Sequence, residues 1–467
     1  MKNKIEFKIA LICYRGTGIA ILGRLIDLFK NKGISANYTV IISSTSSIDE
    51  VKNLMPSKSK YKIIKVFSLL EKSIELKKFI KNNILNIQKE NNNIRNKKFK
   101  IKPRKVFKFK SILIIFSKII LRIVDINLMK LRFKNEFFDY AIFQNDRTNN
   151  ILTHLIQIFN KNNIKTILPE IAFFSSEYFV TQRGQNPLNY VEENGLFSYL
   201  FSDQKINNEK EYMLTMYSPE ETIAMYLTKV LPRQAHEISG SLGCKKVIFS
   251  SKDLYKKVVN SPFTKSSNIC YSLSINEEIA LISRNKTKSI RDFLCKKYKL
   301  ERSKTITLFS LSELAHSGMF SEKESEEIQL KIINKIIKFS PNCLIMFHPS
   351  IVDSRFEKIR HKFAGRIVSE SLPYIASNID IFITVTETSA EQYLLPIGVE
   401  CFVFIFKKYK MEYGIYDNYR NLHLHYIEDK KVYKDIQKLV KKNHINNNKS
   451  LFPDSNIRLF TDCFFNG

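Results

Sequence analysis

The chain has 467 residues, 44% of them apolar and 12% aromatic, which excludes global disorder and, at roughly 200 residues per domain, calls for two domains. Lys and Arg outnumber Asp and Glu 75 to 45, and the net charge of +30 predicts attraction to an anion: a nucleic acid, a phospholipid surface or a phosphate-bearing substrate. Seven scattered cysteines with no C-x-x-C pair argue against a disulfide framework or a zinc knuckle and lead us to expect a reduced, cytoplasmic protein.

In chain order, "FKIALICY" is a continuous apolar run, followed by the glycine turn "RGTG" and by "IAILGRLIDLFKNKG", whose spacing is helical and whose end is marked by Gly33. The N-terminus therefore reads as a first strand rather than a cleaved signal, and "YTVIISS" is the next strand. The same alternation recurs in "FDYAIFQND", a helix near "NNILTHLIQIFNKNN", and "IKTILPE". It resumes in "KKVIFSS", "TITLFSLSEL", a helix over "EKESEEIQLKIINKIIKFS", "CLIMFHPS", "IDIFITVTETS" and "ECFVFIF". Strands alternating with helices predict parallel sheets covered by helices, and the interruption predicts two doubly wound units. The charged, helical stretch from about Asn276 to Lys304 marks the break, giving domains of 1–275 and 276–467.

Residues 71 to 110 depart from this alternation and read as a basic insertion. In "KKFKIKPRKVFKFK", residues 97–110, eight of fourteen positions are Lys or Arg, interleaved with Phe99, Phe107 and Phe109. Such a run suits an anionic membrane surface or a nucleic-acid backbone, or is a solvated insertion. The adjacent greasy segment "SILIIFSKIILRIV" is broken by Lys118 and Arg122 and falls short of the ~20 apolar residues of a span, so no transmembrane helix is expected.

Four places carry chemistry. The turn "RGTGIAILG" has neither dinucleotide-binding nor Walker spacing, and a tight strand-to-helix turn explains it; Arg15 and the helix N-terminus still favour an anionic group. "CLIMFHPS" runs a strand directly into His348, Pro349 and Ser350, at the strand's carboxyl end, where open α/β sheets bind ligands. An imidazole there can offset charge growing on a leaving phosphate. "IDIFITV" empties into "TETSAEQYL", placing Thr386, Thr388 and Ser389 at an adjacent strand end, either as a phosphate cradle or as ordinary caps of the following helix. The fourth place, "VEENGLFSYL", sets Glu192 and Glu193 beside Gly195, with Phe197 and Tyr199 as a wall that would partly desolvate a carboxylate and make it a proton acceptor. No D-x-D triplet suits a metal, and "HLH" (His423, His425) reads as a structural pair, so no metal and no cofactor are expected.

In their order, "ENGLFSY", "FHPS" and "TETSAEQY" resemble the motifs of the bacterial sialyltransferases and polysialyltransferases of the two-domain GT-B type. The likeness fits well from about Thr305 to Phe406 and locally around Glu193. It implies a GT-B-like α/β fold, two Rossmann-like domains facing a cleft, and inverting, metal-independent transfer of a sialic acid-like sugar from a CMP-sugar to a hydroxyl of a cell-surface glycan or glycolipid. In that pattern Glu193 is the general base by register with Gly195, Ser198 and Tyr199. Pairing Glu192 with Glu193 instead inserts an extra residue before Gly195, so both assignments stand. His348, with Pro349 and Ser350, supports the departing nucleotide, and Ser389 with Thr388 contacts its phosphate. The chain departs from the pattern at Asn194, where a second acid is usual, and at Phe347, where a basic residue is often found. The closest competing expectation is another GT-B or polyol-phosphate transferase of capsule or teichoic-type polymer synthesis, using a UDP- or CDP-linked donor. The expected setting is cytoplasmic, with peripheral attachment to the inner face of the membrane through residues 97–110. A basic nucleic-acid-binding protein is the less favoured alternative from another class, since no readable RNA- or DNA-binding motif accompanies the charge.

Overall fold

The computed structural model describes residues 6–14, 16–55, 61–73, 109–170, 189–209, 212–235, 237–312, 314, 320–347, 355–386, 388, 390–406, 420–442 and 457–466. The chain divides into two compact units, residues 1–272 with 461–467, and residues 273–460.

The first unit contains β1 (Phe7–Cys13), α1 (Gly16–Asn31), β2 (Ala36–Ile42), α2 (Ile48–Leu54), β3 (Tyr61–Lys65), α3 (Phe109–Phe133), β4 (Tyr140–Phe143), α4 (His154–Lys161) and β5 (Lys165–Pro169). An inserted segment follows, with β6 (Tyr190–Glu192), α5 (Leu196–Leu200), β7 (Lys205–Glu209), β8 (Tyr212–Thr215) and α6 (Pro219–Leu227), before β9 (Lys246–Phe249), α7 (Lys252–Val259) and β10 (Asn268–Tyr271). Seven strands form one sheet in the order β10-β9-β5-β4-β1-β2-β3, every pair parallel. Ile9 to Cys13 of β1 and all of β4 are buried, because helices cover both faces of a parallel sheet and each strand must be apolar throughout. The insert makes a small antiparallel sheet, β6-β8-β7, over its own core of Val191, Phe197, Phe201, Met213 and Met225.

The last helix of the chain, α15 (Phe460–Phe465), belongs largely to this first unit. Phe464 and Phe465 pack among Phe7, Phe29 and Tyr140, with ring centroids 5.0 to 5.7 Å apart. Lys246 Nζ donates to the carbonyls of Cys463 at 2.7 Å and Phe464 at 3.2 Å, satisfying groups that a helix end leaves unpaired.

α3 is built inside out. Its inward positions, Ser111, Ile115, Arg122, Asp125, Met129 and Phe133, recur at spacings of three, four and seven residues and are buried, and they include two charges. Asp125 accepts from Ser68 Oγ at 2.7 Å and from the amides of Leu69 and Leu70 at 2.8 and 3.1 Å. Arg122, fully buried, pairs with Glu221 of α6 and donates to the Asn149 carbonyl at 3.2 Å, with His154 Nε2 3.5 Å away. Lys118 pairs with the same carboxylate, and the two cations outweigh the burial penalty and hold Glu221 below its ordinary range. Burial, then Arg122, pushes His154 well below its ordinary value.

The second unit contains α8 (Ile275–Arg284), α9 (Thr287–Tyr298), β11 (Thr307–Leu311), α10 (Glu322–Ile337), β12 (Cys343–Phe347), α11 (Glu357–Lys362), β13 (Ile367–Val368), α12 (Leu372–Ile375), β14 (Ile381–Val385), α13 (Glu391–Leu394), β15 (Glu400–Ile405), β16 (Leu422–Tyr426) and α14 (Lys431–Lys441). Its six strands run β13-β12-β11-β14-β15-β16, all parallel. Both α8 and α10 open on capping boxes, Ser274 with Glu277 and Ser321 with Glu324, which explains why these polar starts nucleate helices. In each unit the first strand has the second and third on one side and the later strands on the other, the 3-2-1-4-5-6 order of a Rossmann-like sheet. Both units are therefore doubly wound α/β structures. Among the described residues no helix is long and apolar enough to cross a membrane.

Candidate functional site

Each doubly wound sheet has one place where its strand order reverses, and crevices for ligands open there, beyond the carboxyl ends of the strands. In the second unit that point lies between β11 and β14. β12 ends at Phe347, directly before the H-P-S motif, and β14 ends at Val385, directly before T-E-T-S, so both motifs begin at the same edge of one parallel sheet. The expectation of adjacent strands is corrected. β11 lies between them, pairing with both, so the two strand ends are separated by about 10 Å, two strand spacings. Local patterning carries no information on that order. His348, Pro349, Ser350 and Ser389 lie outside the described residues, as does Arg15.

Thr386 and Thr388 can be placed. Thr386 has φ +69°, a left-handed conformation that a β-branched residue adopts only at a cost, and its amide donates to the Phe404 carbonyl at 2.8 Å. The chain thus turns sharply as it leaves β14, at the switch point. Thr388 is engaged locally: its amide and hydroxyl both donate to Glu391 Oε2, at 3.0 and 2.9 Å, and its hydroxyl accepts from the Ala390 amide at 3.1 Å. These bonds tie Thr388 to the first turn of α13 and engage its hydroxyl proton locally.

Sequence reasoning missed Arg360. From α11 its guanidinium stacks on the Phe347 ring, 3.9 Å from the centroid, and its Nε donates to the Arg355 carbonyl at 3.0 Å. The aromatic residue before His348 therefore brings a cation to the end of β12. The only signal in the sequence is the bare presence of "FEKIRHK" downstream, which no local motif connects to Phe347.

In the first unit, Glu193 and Gly195 lie in the turn between β6 and α5. Gly195, at φ −88°, precedes the first turn of α5, and Ser198 Oγ donates to the Glu192 carbonyl at 2.5 Å, closing the turn back on the strand. Glu193 is half-buried, with Lys205 Nζ 4.0 Å from its Oε1. The desolvating wall expected beside it is not formed by the residues named for it: Phe197 is buried against Phe201, ring centroids 5.0 Å apart, and Tyr199 is 82% exposed. The cause is helical geometry, since residues two apart on α5 point to different sides. A cationic neighbour, not an apolar one, is what the fold gives Glu193.

The switch point of the first sheet lies between β1 and β4. Here Gln144, just beyond β4, accepts from the Tyr14 amide at 2.6 Å, and its side chain lies across the start of α1. A Cβ on Gly18 would fall 1.8 Å from Gln144 Cδ, so this glycine makes room for a side chain of the protein itself. Two buried acids at the same edge also escaped the sequence reading. Asp146 accepts from the amides of Gly240 and Leu242 at 2.9 and 3.3 Å, and Glu170 from the amides of Ser250 and Ser251 at 2.7 and 3.0 Å. Burial raises both carboxyls above the ordinary range. Their bonds make them loop anchors.

His423 Nε2 lies 2.7 Å from Glu400 and His425 Nδ1 3.4 Å from Asp429, and both rings stack on Phe402. Among the described residues no group of three or more His, Cys, Asp or Glu could hold a metal ion.

No protein-family profile matches the chain, and no curated protein matches it. Among solved structures it is similar to the UDP-GlcNAc 2-epimerase from Methanocaldococcus jannaschii, at 12% identity and a TM-score of 0.45, covering 94% of this chain and 95% of that one. It is also similar to Medicago truncatula UGT71G1 complexed with UDP-glucose, at 10% identity and a TM-score of 0.43, covering 98% and 92%. A third is CalG4, the calicheamicin glycosyltransferase, at 8% identity and a TM-score of 0.37, covering 95% and 96%. At TM-scores below 0.5 these likenesses carry no weight for activity or substrate, and the fold stands on strand order and register.

Proposed function

We propose that the protein is an inverting glycosyltransferase of the two-domain GT-B type, moving an acidic, sialic acid-like sugar from a CMP-sugar to a hydroxyl of a glycan or glycolipid acceptor. The observation that supports it most is the common edge of the second sheet: the strands that lead into H-P-S and T-E-T-S are parallel, flank β11, and end on the side where doubly wound sheets bind nucleotides. In the transfer, the acceptor oxygen bonds to the anomeric carbon as the bond from that carbon to the CMP phosphate oxygen breaks. The electron pair leaves with the phosphate, and the acceptor proton goes to a carboxylate. Glu193 is the base in this reading, with Lys205 Nζ 4.0 Å from its carboxylate, and Glu192 is its nearest substitute. His348 donates to the departing phosphate, Ser350 and Ser389 add donors, Pro349 fixes the backbone, and Thr386 and Thr388 shape the loop. Gly195 closes the turn that holds Glu193, directly before α5, and Arg15 adds positive charge.

Calorimetric binding and turnover with CMP-sialic acid, CMP-Kdo, UDP-sugars and CDP-glycerol test the donor. Binding of CMP-linked sugars alone is expected; binding of only UDP- or CDP-linked donors moves the protein to another polymer transferase. Glu193→Gln and His348→Ala are each expected to cut transfer by about a hundredfold or more. Near-normal turnover in either variant removes that residue from the mechanism.

A further inference from the structure

The outward positions of α3 are mainly apolar, interrupted by Ser117 and Asn127 and joined near the helix end by Lys130 and Arg132. Leu113, Phe116, Ile120 and Leu131 are 55, 60, 59 and 72% exposed, and Ile112, Ile123, Val124 and Leu128 are exposed beside them. These positions recur every three or four residues and form one stripe along a helix about 37 Å long. The helix has a single acid, Asp125, and it is turned inward with Arg122. A monomeric soluble surface seldom leaves such a stripe uncovered. Folding has turned Arg122 and Asp125 into the core while leaving most of the helix's large aliphatic side chains outside.

We infer that α3 lies flat on an anionic bilayer, its outward stripe sunk among the headgroups and upper acyl chains. Charge selects this occupant. Eight of the fourteen residues at 97–110, leading into α3, are Lys or Arg, and Lys130, Arg132 and Lys134 are exposed at its far end. The far end of the stripe thus presents cations to anionic headgroups, and the sequence that precedes the helix is of the same sign. A second copy of the chain would bring another +30 charge against the same face. The inference is independent of the transferase reading and differs from attachment by the basic stretch alone, since it makes the apolar stripe the docking element.

The chain has no tryptophan, so Phe116→Trp introduces a single reporter. With full-length protein and vesicles of phosphatidylglycerol in phosphatidylcholine, its emission is expected to shift to the blue and to be quenched by brominated acyl chains, with no shift on pure phosphatidylcholine. A Leu113→Gln, Phe116→Gln, Ile120→Gln, Leu131→Gln variant is expected to lose at least about tenfold in co-sedimentation with the anionic vesicles, with its circular dichroism and melting unchanged. Replacing the Lys and Arg of 97–110 by Gln is a separate arm. If that change abolishes binding while the four-Gln variant binds like the parent, the basic stretch suffices and the inference is overturned. Failure of the parent to bind overturns it, and so does a reporter already blue-shifted in lipid-free monomer. A lipid-free blue shift that grows with protein concentration, alongside dimers in sedimentation, also overturns it and assigns the face to a second copy.

Discussion

Replacing Thr386 by glycine should stabilise the second unit while impairing transfer. A β-branched residue at φ +69° is held against a preference worth about 1–2 kcal/mol, because its Cβ crowds the adjacent carbonyl. Glycine removes that conflict and gives back about 0.5–1 kcal/mol through its freer unfolded chain, leaving a net gain near 0.5–1 kcal/mol. The amide bond to Phe404 is kept, since only the side chain changes. Thr386→Val separates the two roles of the residue: it retains the branched Cβ and the strain but deletes the hydroxyl. Denaturant unfolding of the full chain, with hydrogen exchange of residues 381–406 to identify the second unit's transition, measures the stability. Transfer from a CMP-sugar measures the proposed function. The expected result is a higher midpoint for Thr386→Gly with weaker turnover, and an unraised midpoint for Thr386→Val. A lower midpoint for Thr386→Gly would refute the strain argument, and full activity in both variants would remove Thr386 from the donor site.

Other perturbations address the rest of the frame. Gly18→Ala must displace Gln144 and strip the Tyr14 amide of its acceptor, an expected loss of about 1–3 kcal/mol in denaturant unfolding; added to Gln144→Ala it should cost little more. Arg122→Leu leaves Glu221 buried with only Lys118 as partner, and a loss of about 3–5 kcal/mol is expected, whereas Arg122→Leu with Glu221→Leu should lose less. Additive losses in that pair would show that the two charges do not act together. His154 has its pKa depressed by burial and Arg122, so below about pH 6.5 the unfolded chain takes up a proton that the folded chain refuses. The stability that His154 contributes above that pH is lost as the pH falls, with a slope of up to about 1.4 kcal/mol per unit. His154→Gln should flatten the difference in unfolding midpoint between pH 7.5 and 5.5, and an unchanged slope would refute the assignment.

The two sheets were legible because a strand covered on both faces must be apolar along its length, and "FKIALIC", "TLFSL" and "IFITV" are. The small antiparallel sheet was not, because β7 reads "KINNE", and the edge strand β16 reads "LHLHY", neither of which matches a buried run. Strand order was not legible either, and it decides that β11 parts the two motif-bearing strands. α3 defeated the usual inference in another way. Periodicity finds its two faces, but the assumption that the apolar face turns inward fails when the opposite face carries an Arg and an Asp with dedicated partners on other elements. Those partners, Ser68 and Glu221, are far away in sequence. Thr386 was read for its hydroxyl; its left-handed backbone runs against β-branched propensity and could not be read at all.

Phe347 shows how a departure from a motif can be answered by the fold. Read letter by letter, the chain lacks the basic residue often found before His348, and the donor end of the proposed reaction is short of one positive charge. The structure brings Arg360, thirteen residues further along the chain, onto the Phe347 ring at 3.9 Å. An aromatic face attracts a guanidinium, and the stack holds the positive charge of Arg360 beside Phe347. Its Nε already holds the Arg355 carbonyl, which fixes the plane of the group at the end of β12. In the proposed reading, Phe347 is therefore the seat of the missing cation rather than its loss, and the charge comes from a neighbouring helix that no consecutive motif would reveal.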